Sequence, residues 1–366
     1  MIQSIYPLLS PPSARLCLVL CLTFGYLGTA QAGNIDSLRN IVLNKPGKTD
    51  VTTLLREARK HSIDDLPLSL AFVQIAREIA LEDEDYGALM QIYRKMGFIY
   101  QDNNLPADAL KAFERALEIA EDKFTSDPER FTIYIDLAAI HRKLGNYKTA
   151  KDHYQKAIDL SKESSNLEIV SFGYSGLGSL YNTIGDHDKA IEYYLKSLEI
   201  SEVRNFKDGV VKTLREIAHT HTERTDDDLA LQTMERAYLL SAELKDTLAI
   251  GELLLDYGQI YLNGGYMDEA LEKFSQVEQL KKYDHLRARS QMWMADIYTR
   301  KKQLDTAEDY FTKAEQNISL LDHFDKALFY HKRGVLHHLK GEIEAAEAMF
   351  NSSLQVSKAH LYRDLC

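Results

Sequence analysis

Apolar and polar residues in this chain recur at helical spacing, and the helical pattern is itself repeated. With Gly97 as a register mark, Tyr93 lies four before, Met96 one before, Tyr100 three after, Ala109 twelve after, Phe113 sixteen after and Ala116 nineteen after. The same slots are filled around Ala138 by Tyr134, Leu137, His141, Ala150, Tyr154 and Ala157. Around Gly178 they hold Tyr174, Leu177, Tyr181, Ala190, Tyr194 and Ser197. Around Ala218 they hold Leu214, Ile217, His221, Ala230, Met234 and Ala237, and around Gly258 they hold Leu254, Tyr257, Tyr261, Ala270, Phe274 and Val277. Ala295 follows with Met294, Tyr298, Ala307, Phe311 and Ala314, and Gly334 with Tyr330, His337, Ala346, Phe350 and Ser353. Successive marks stand 41, 40, 40, 40, 37 and 39 residues apart.

Each copy predicts two amphipathic helices joined by a tight turn. The turns carry the expected breakers: Asn103-Asn104 before Pro106, Gly145-Asn146, Gly185-Asp186, Gly264-Gly265 and Gly341. Pro106 sits where a helix can start without losing a hydrogen bond. The mark is Gly or Ala because the two helices of a pair approach there, and a larger side chain would overpack the contact at about 1–3 kcal/mol. The Ala twelve residues on is the close-contact point of the second helix. The aromatic or Met four residues later is expected to pack on the next unit.

This pattern resembles the tetratricopeptide repeat family over about residues 50–366. The units here are about six residues longer than that family's 34-residue minimum, so the helices or the connections between units must be extended. The resemblance implies an all-α fold, a right-handed superhelical solenoid of antiparallel helix pairs. Residues 90–366 supply seven repeats and the start of an eighth. Residues 50–89 hold a degenerate unit, VTTLLREARKHS followed by LPLSLAFVQIAREIA, with Ser69 and Ala76 at the small positions. We take it as an N-terminal capping repeat, as solenoids require. Residues 33–49 are a lead-in segment.

The two ends differ from the array. Leu16–Leu27 is a short apolar core preceded by Arg15, and Ala30-Gln31-Ala32 follows it. This predicts a signal peptide over residues 1–32 and an exported location, periplasmic in a Gram-negative bacterium and otherwise secreted. At the other end the text stops at Cys366 without Gly, Pro or a polar cap. By the forty-residue period a new first helix is just beginning there, so the expectation is a truncated array with a C-terminal continuation.

Composition narrows the function. The 366 residues carry a net charge of −11, which disfavours nucleic acid as partner because phosphate binding needs a basic face. The three Cys cannot build a disulfide framework, and cleavage after Ala32 would leave only Cys366. No apolar run outside the leader is long enough to span a membrane. Nucleotide-binding glycine loops, zinc-protease and serine-hydrolase signatures and Cys-x-x-Cys pairs are absent from the sequence. Gly173-Tyr174-Ser175-Gly176 has the spacing of helix packing rather than of a phosphate loop. His141 and His221 occupy a packing slot, and His331, His337 and His338 lack a third-ligand pattern. The runs 82–85 and 226–228 are acidic and fit turns and helix starts. The many Tyr fall in core slots. The sequence therefore implies no catalytic group, no cofactor and no metal.

The resemblance further implies that first helices line a groove that receives protein or peptide segments. Carried over slot by slot, the groove candidates are Arg94, Phe98, Gln101, Arg142, Asn182, Arg215, His219, Gln259, Asp296 and His331. Arg94, Arg142 and Arg215 are basic points in an acidic protein. They suit a peptide bearing carboxylates, or they join neighbouring helices in ion pairs. Two functions remain open: an exported, non-catalytic scaffold that binds protein segments, and the periplasmic sensory region of a longer signalling protein with a diguanylate cyclase or histidine kinase output domain beyond this chain.

Overall fold

A computed structural model describes residues 50–62, 65–123, 128–163 and 165–363. The signal peptide, the lead-in and all three Cys therefore lie outside the described residues. Among these residues the regular structure is helical throughout: sixteen α-helices and one 3-10 turn. The chain forms two compact units, one ending at Ala88 and one beginning at Leu89.

In the first unit, α1 (Val51–Lys60) and α2 (Leu66–Glu82) form a hairpin. Asp50 caps α1 by accepting from the Thr53 amide at 2.7 Å, and Asp65 caps α2 by accepting from Leu68 at 3.0 Å. Ser69 donates to the Ala58 carbonyl at 2.7 Å inside this hairpin. A small residue is needed there because the two backbones approach closely, and the hydroxyl satisfies itself on the facing chain.

The second unit is a solenoid of seven helix pairs. They are α3 (Tyr86–Asp102) with α4 (Pro106–Lys123), α5 (Pro128–Lys143) with α6 (Tyr147–Glu163), and α7 (Leu167–Ile184) with α8 (His187–Val203). Then come α9 (Lys207–Glu223) with α10 (Asp227–Leu244), and α11 (Thr247–Asn263) with α12 (Met267–Glu278). Last are α13 (Asp284–Arg300) with α14 (Leu304–Glu315), and α15 (His323–Lys340) with α16 (Ile343–Arg363). The extra length of each unit lies in the helices: α3 to α11 run 16 to 18 residues each, and the turns stay short. The two shorter spacings, after Gly258 and Ala295, coincide with α12 and α14, which have only 12 residues each.

The register marks meet the ring sixteen residues on in their own pair. A Cβ on Gly178 would lie 2.6 Å from the Tyr194 ring, and Gly97, Gly258 and Gly334 face Phe113, Phe274 and Phe350 in the same way. The expectation that this ring packs on the next unit is thus half the contact. Phe274 fills the gap over Gly258 and also stacks on Trp293 of α13, with ring centroids 6.4 Å apart. Phe311 meets Phe329 of α15 edge-on at 5.5 Å. In these two pairs one ring joins the pair internally and to its successor.

The turn inside every pair places the residue seven after the mark in the left-handed region. These are Asn104, Gly145, Gly185, Thr225, Gly265, Lys302 and Gly341, with φ between 52° and 86°. In Gly264-Gly265 only Gly265 is left-handed, since Gly264 has φ −73°. Thr225 and Lys302 adopt the same conformation without being Gly or Asn, so the sequence pattern concealed two of the seven turns.

A stack of side rings was also hidden. The slot fifteen after the mark holds His153, Tyr193 and Tyr310, and each lies against first-helix rings. Tyr193 stacks on Tyr181 at 5.3 Å and Tyr310 on Tyr298 at 5.4 Å. His153 lies between Tyr134 at 5.8 Å and His141 at 5.4 Å. Burial and mutual repulsion push the His153 imidazole below its ordinary pKa, and burial does the same to His141.

Candidate binding face

First helices contact first helices from pair to pair: α5 meets α7, α7 meets α9, α11 meets α13 and α13 meets α15. With Arg94–Asp136 joining α3 to α5 and Arg215–Asp256 joining α9 to α11, they form one face of the second unit, and all ten candidate residues lie on them. What holds that face together is a series of polar bridges, each linking a residue to a position about one repeat further on.

Arg94 on α3 donates from Nε to Asp136 Oδ2 on α5 at 2.5 Å. Its guanidinium also stands 5.6 Å from the Phe98 ring, which packs edge-on against Phe113 at 5.3 Å. Arg142 on α5 donates to Thr183 Oγ1 on α7 at 2.9 Å. Asn182 on α7 donates to Glu223 Oε2 on α9 at 2.6 Å, while its own carbonyl oxygen lies 2.9 Å from His187 Nδ1. Arg215 on α9 donates from Nε to Asp256 and from Nη1 to Glu252, both on α11 and both at 2.5 Å. His219, one turn after Arg215, places Nε2 3.3 Å from the same Asp256 oxygen. Asp296 on α13 takes the Lys332 ammonium of α15 at 3.0 Å and Arg300 at 2.9 Å. Gln101 and Gln259 are half-buried on the face, and His331 is exposed, its ring 5.6 Å from Phe350.

The three arginines named from the sequence thus each bond to a side chain of the next repeat, Arg94 and Arg215 to carboxylates and Arg142 to a hydroxyl. The sequence reading missed their partners. Asp136 and Asp256 both stand two before a mark, next to the slot of the arginine one repeat earlier, so the register contained this signal. Asp136 and Asp256 differ in outcome. Burial raises the Asp136 pKa, and Arg94 with the nearby Lys95 does not overcome it. Burial also opposes ionisation of Asp256, but His219 and Arg215 together hold its carboxyl below the usual range. His219 loses by burial but gains more from Asp256, so its pKa is raised.

The sequence also gave no notice of Trp293 and Lys332. Trp293, two before its mark, lies half-buried in the face, and the Lys332 ammonium stands 4.2 Å from the centre of its ring. Burial pushes the Lys332 pKa down, with Asp296 opposing. Among the described residues no group of three or more His, Cys, Asp or Glu is arranged to hold a metal ion. No helix among them is long and apolar enough to cross a membrane.

Residues 129–202 and 286–359 match the family model for the tetratricopeptide repeat. The two matched segments together make up less than half of the chain, and over them it is similar to tetratricopeptide repeats. Among curated proteins, the chain is similar to response regulator aspartate phosphatase J of Bacillus subtilis, with 21% identity over 188 residues, 51% of this chain and 44% of the phosphatase. The chain spans less than two thirds of the length of the curated relatives it matches. Among solved structures, the Rap conjugation gene regulator of plasmid pLS20 in complex with the Phr* peptide has a TM-score of 0.56 at 13% identity. That match covers 85% of this chain and 96% of the regulator. A signal-transduction ATPase with a tetratricopeptide repeat sensor from Pyrococcus horikoshii also scores 0.56 at 13% identity, covering 92% of this chain and 53% of that one. At these identities the two solved structures share the fold with this chain.

Proposed function

We propose that this protein is a non-catalytic scaffold whose first-helix face binds a protein or peptide segment. The observation that carries the reading is the face itself. Polar bridges tie α3 through α11 together, from Arg94–Asp136 to Arg215–Asp256, and Lys332–Asp296 ties α13 to α15, while α11 and α13 meet through apolar packing, so polar groups of fixed geometry are presented along the first helices. Such preorganisation lowers the ordering cost of binding an extended segment. The structural likeness to a conjugation gene regulator solved in complex with a peptide supports the same reading. The apolar leader supports action in an exported compartment, which N-terminal sequencing of the mature protein from its native host tests.

The test is capture from a random dodecapeptide display library by the full chain, followed by photo-cross-linking of the selected peptides. Cross-links on first-helix residues such as Gln101 and Gln259 support the reading. Cross-links confined to second helices, or no selected peptide, refute it.

A second reading is that the array senses a ligand for a longer signalling chain. It is supported by the repeat sensor of the archaeal ATPase, of whose chain this one spans about half. A membrane-spanning segment and an output domain encoded beyond Cys366 would favour it, and a stop codon there would refute it.

A further inference from the structure

The floor of the first-helix face carries opposite net charges at two places. At α9–α11, three carboxylates, Glu216, Glu252 and Asp256, stand near Arg215 and His219, so the cluster keeps a negative balance even with His219 protonated. At α13–α15 the balance reverses, because Lys332 and Arg300 share the single carboxylate of Asp296. The adjacent Arg289–Asp325 pair, 2.9 Å apart, is neutral in itself and does not change that balance. The floor between the two clusters is apolar: Leu255 and Leu262 are buried, and Trp293 packs against the core cluster to which they belong. The Trp293 indole N–H is buried with no acceptor among the described residues, and the Lys332 ammonium lies over the same ring.

We propose that the segment bound here is a dipolar peptide, with a basic side chain over α9–α11 and a carboxylate over α13–α15. This deepens the peptide-binding reading above and rests on it. Neighbouring packed helices lie about 8–10 Å apart, so two steps along the face span roughly 20 Å. An extended chain advances about 3.3 Å per residue, which puts the two charges about six residues apart. Both clusters are partly desolvated, so an incoming charge meets its complement in a medium where the attraction exceeds its value in bulk water. The opposite orientation would bring like charges together at both ends, and the apolar middle accommodates the intervening residues.

The test uses the full chain and the peptides selected from the random dodecapeptide library, resynthesised with a fluorophore and measured by anisotropy. Selected peptides are expected to carry Lys or Arg and Asp or Glu five to seven positions apart. Arg300→Glu and Glu252→Lys should each weaken binding about tenfold or more. Replacing the peptide's acidic residue by Lys should restore binding to the Arg300→Glu protein, and replacing its basic residue by Glu should restore binding to Glu252→Lys. Both positions are substantially exposed, and thermal melts confirm folding of each variant. Peptides that cross-link to first helices but bind wild type, Arg300→Glu and Glu252→Lys equally would overturn the dipolar inference and leave the peptide-binding reading standing. Failure to select any peptide, or cross-links to second helices alone, would overturn both.

Discussion

The Arg215 guanidinium on α9 and the Asp256 carboxylate on α11 meet at 2.5 Å across a repeat boundary, and His219 closes on the same oxygen from one turn away. Asp256 is almost entirely buried, so removing Arg215 strands a charge that only His219 can answer. Arg215→Ala should therefore destabilise the protein by about 2–3 kcal/mol, somewhat less than loss of one partner from a fully buried pair because Arg215 is itself partly exposed. Asp256→Asn should reduce that cost in the double variant. A double-mutant cycle from urea melts measures the coupling, and strict additivity of the two changes would show that the bridge contributes nothing.

The same triad sets one direction of pH dependence. His219 has a folded-state pKa above its unfolded value, so its contribution is complete below the unfolded pKa and disappears as pH rises through the folded one. Wild type should lose stability relative to His219→Gln as pH is raised from about 6 to 8, near the ordinary histidine range. Parallel melting curves for the two proteins across that window would contradict the assignment.

The ring stack on α5–α6 works in the opposite sense. His141 and His153 have lowered folded-state pKa values, so their contribution is present above the unfolded pKa and is lost as pH falls through the folded values. Glu114 opposes the shift at His141, Asp152 opposes it at His153, and Lys156 reinforces it at His153. The corresponding slots elsewhere hold Tyr181 with Tyr193 and Tyr298 with Tyr310. Replacing both histidines by Tyr should preserve the stack and flatten the fall in melting temperature between about pH 7 and 5. An unchanged acid limb would place the sensitivity elsewhere.

Turn geometry makes a prediction with two signs. Thr225 and Lys302 hold φ of +63° and +59° in a turn that Gly185 makes with φ +86°. Thr225→Gly relieves a strained β-branched residue and should stabilise by about 0.5–1 kcal/mol after the entropy of the more flexible unfolded chain is counted. Gly185→Ala should destabilise by about 1 kcal/mol for the converse reason. Gly178→Ala acts through a different cause: its Cβ would push into the Tyr194 ring, at about 1–3 kcal/mol. Chemical denaturation of the three variants separates these effects, and a destabilising Thr225→Gly would refute the strain argument.

Much of the fold was legible because the mark residues are constrained by contacts inside one pair. Gly97 and Phe113, or Gly258 and Phe274, lie sixteen apart and must be small and large whatever the neighbours do. The binding face was legible only as a set of helix positions. Arg94 and Arg215 could be placed on it, but the meaning of their charge depended on Asp136 and Asp256, 42 and 41 residues away. Such partners become visible only after the repeats are laid side by side. Thr225 and Lys302 stayed hidden for another reason: backbone conformation there is imposed by the packed helices on either side and overrides residue preference.

Cysteine protection tests the central claim most directly. In a background with the native Cys replaced by Ser, Gln259→Cys places a thiol on the first-helix face and Leu195→Cys places one on the exposed side of α8. Alkylation rates are measured with and without a saturating peptide selected from the library. The account predicts that peptide slows alkylation at position 259 by at least tenfold and leaves position 195 unchanged. Protection at 195 with none at 259 would contradict it.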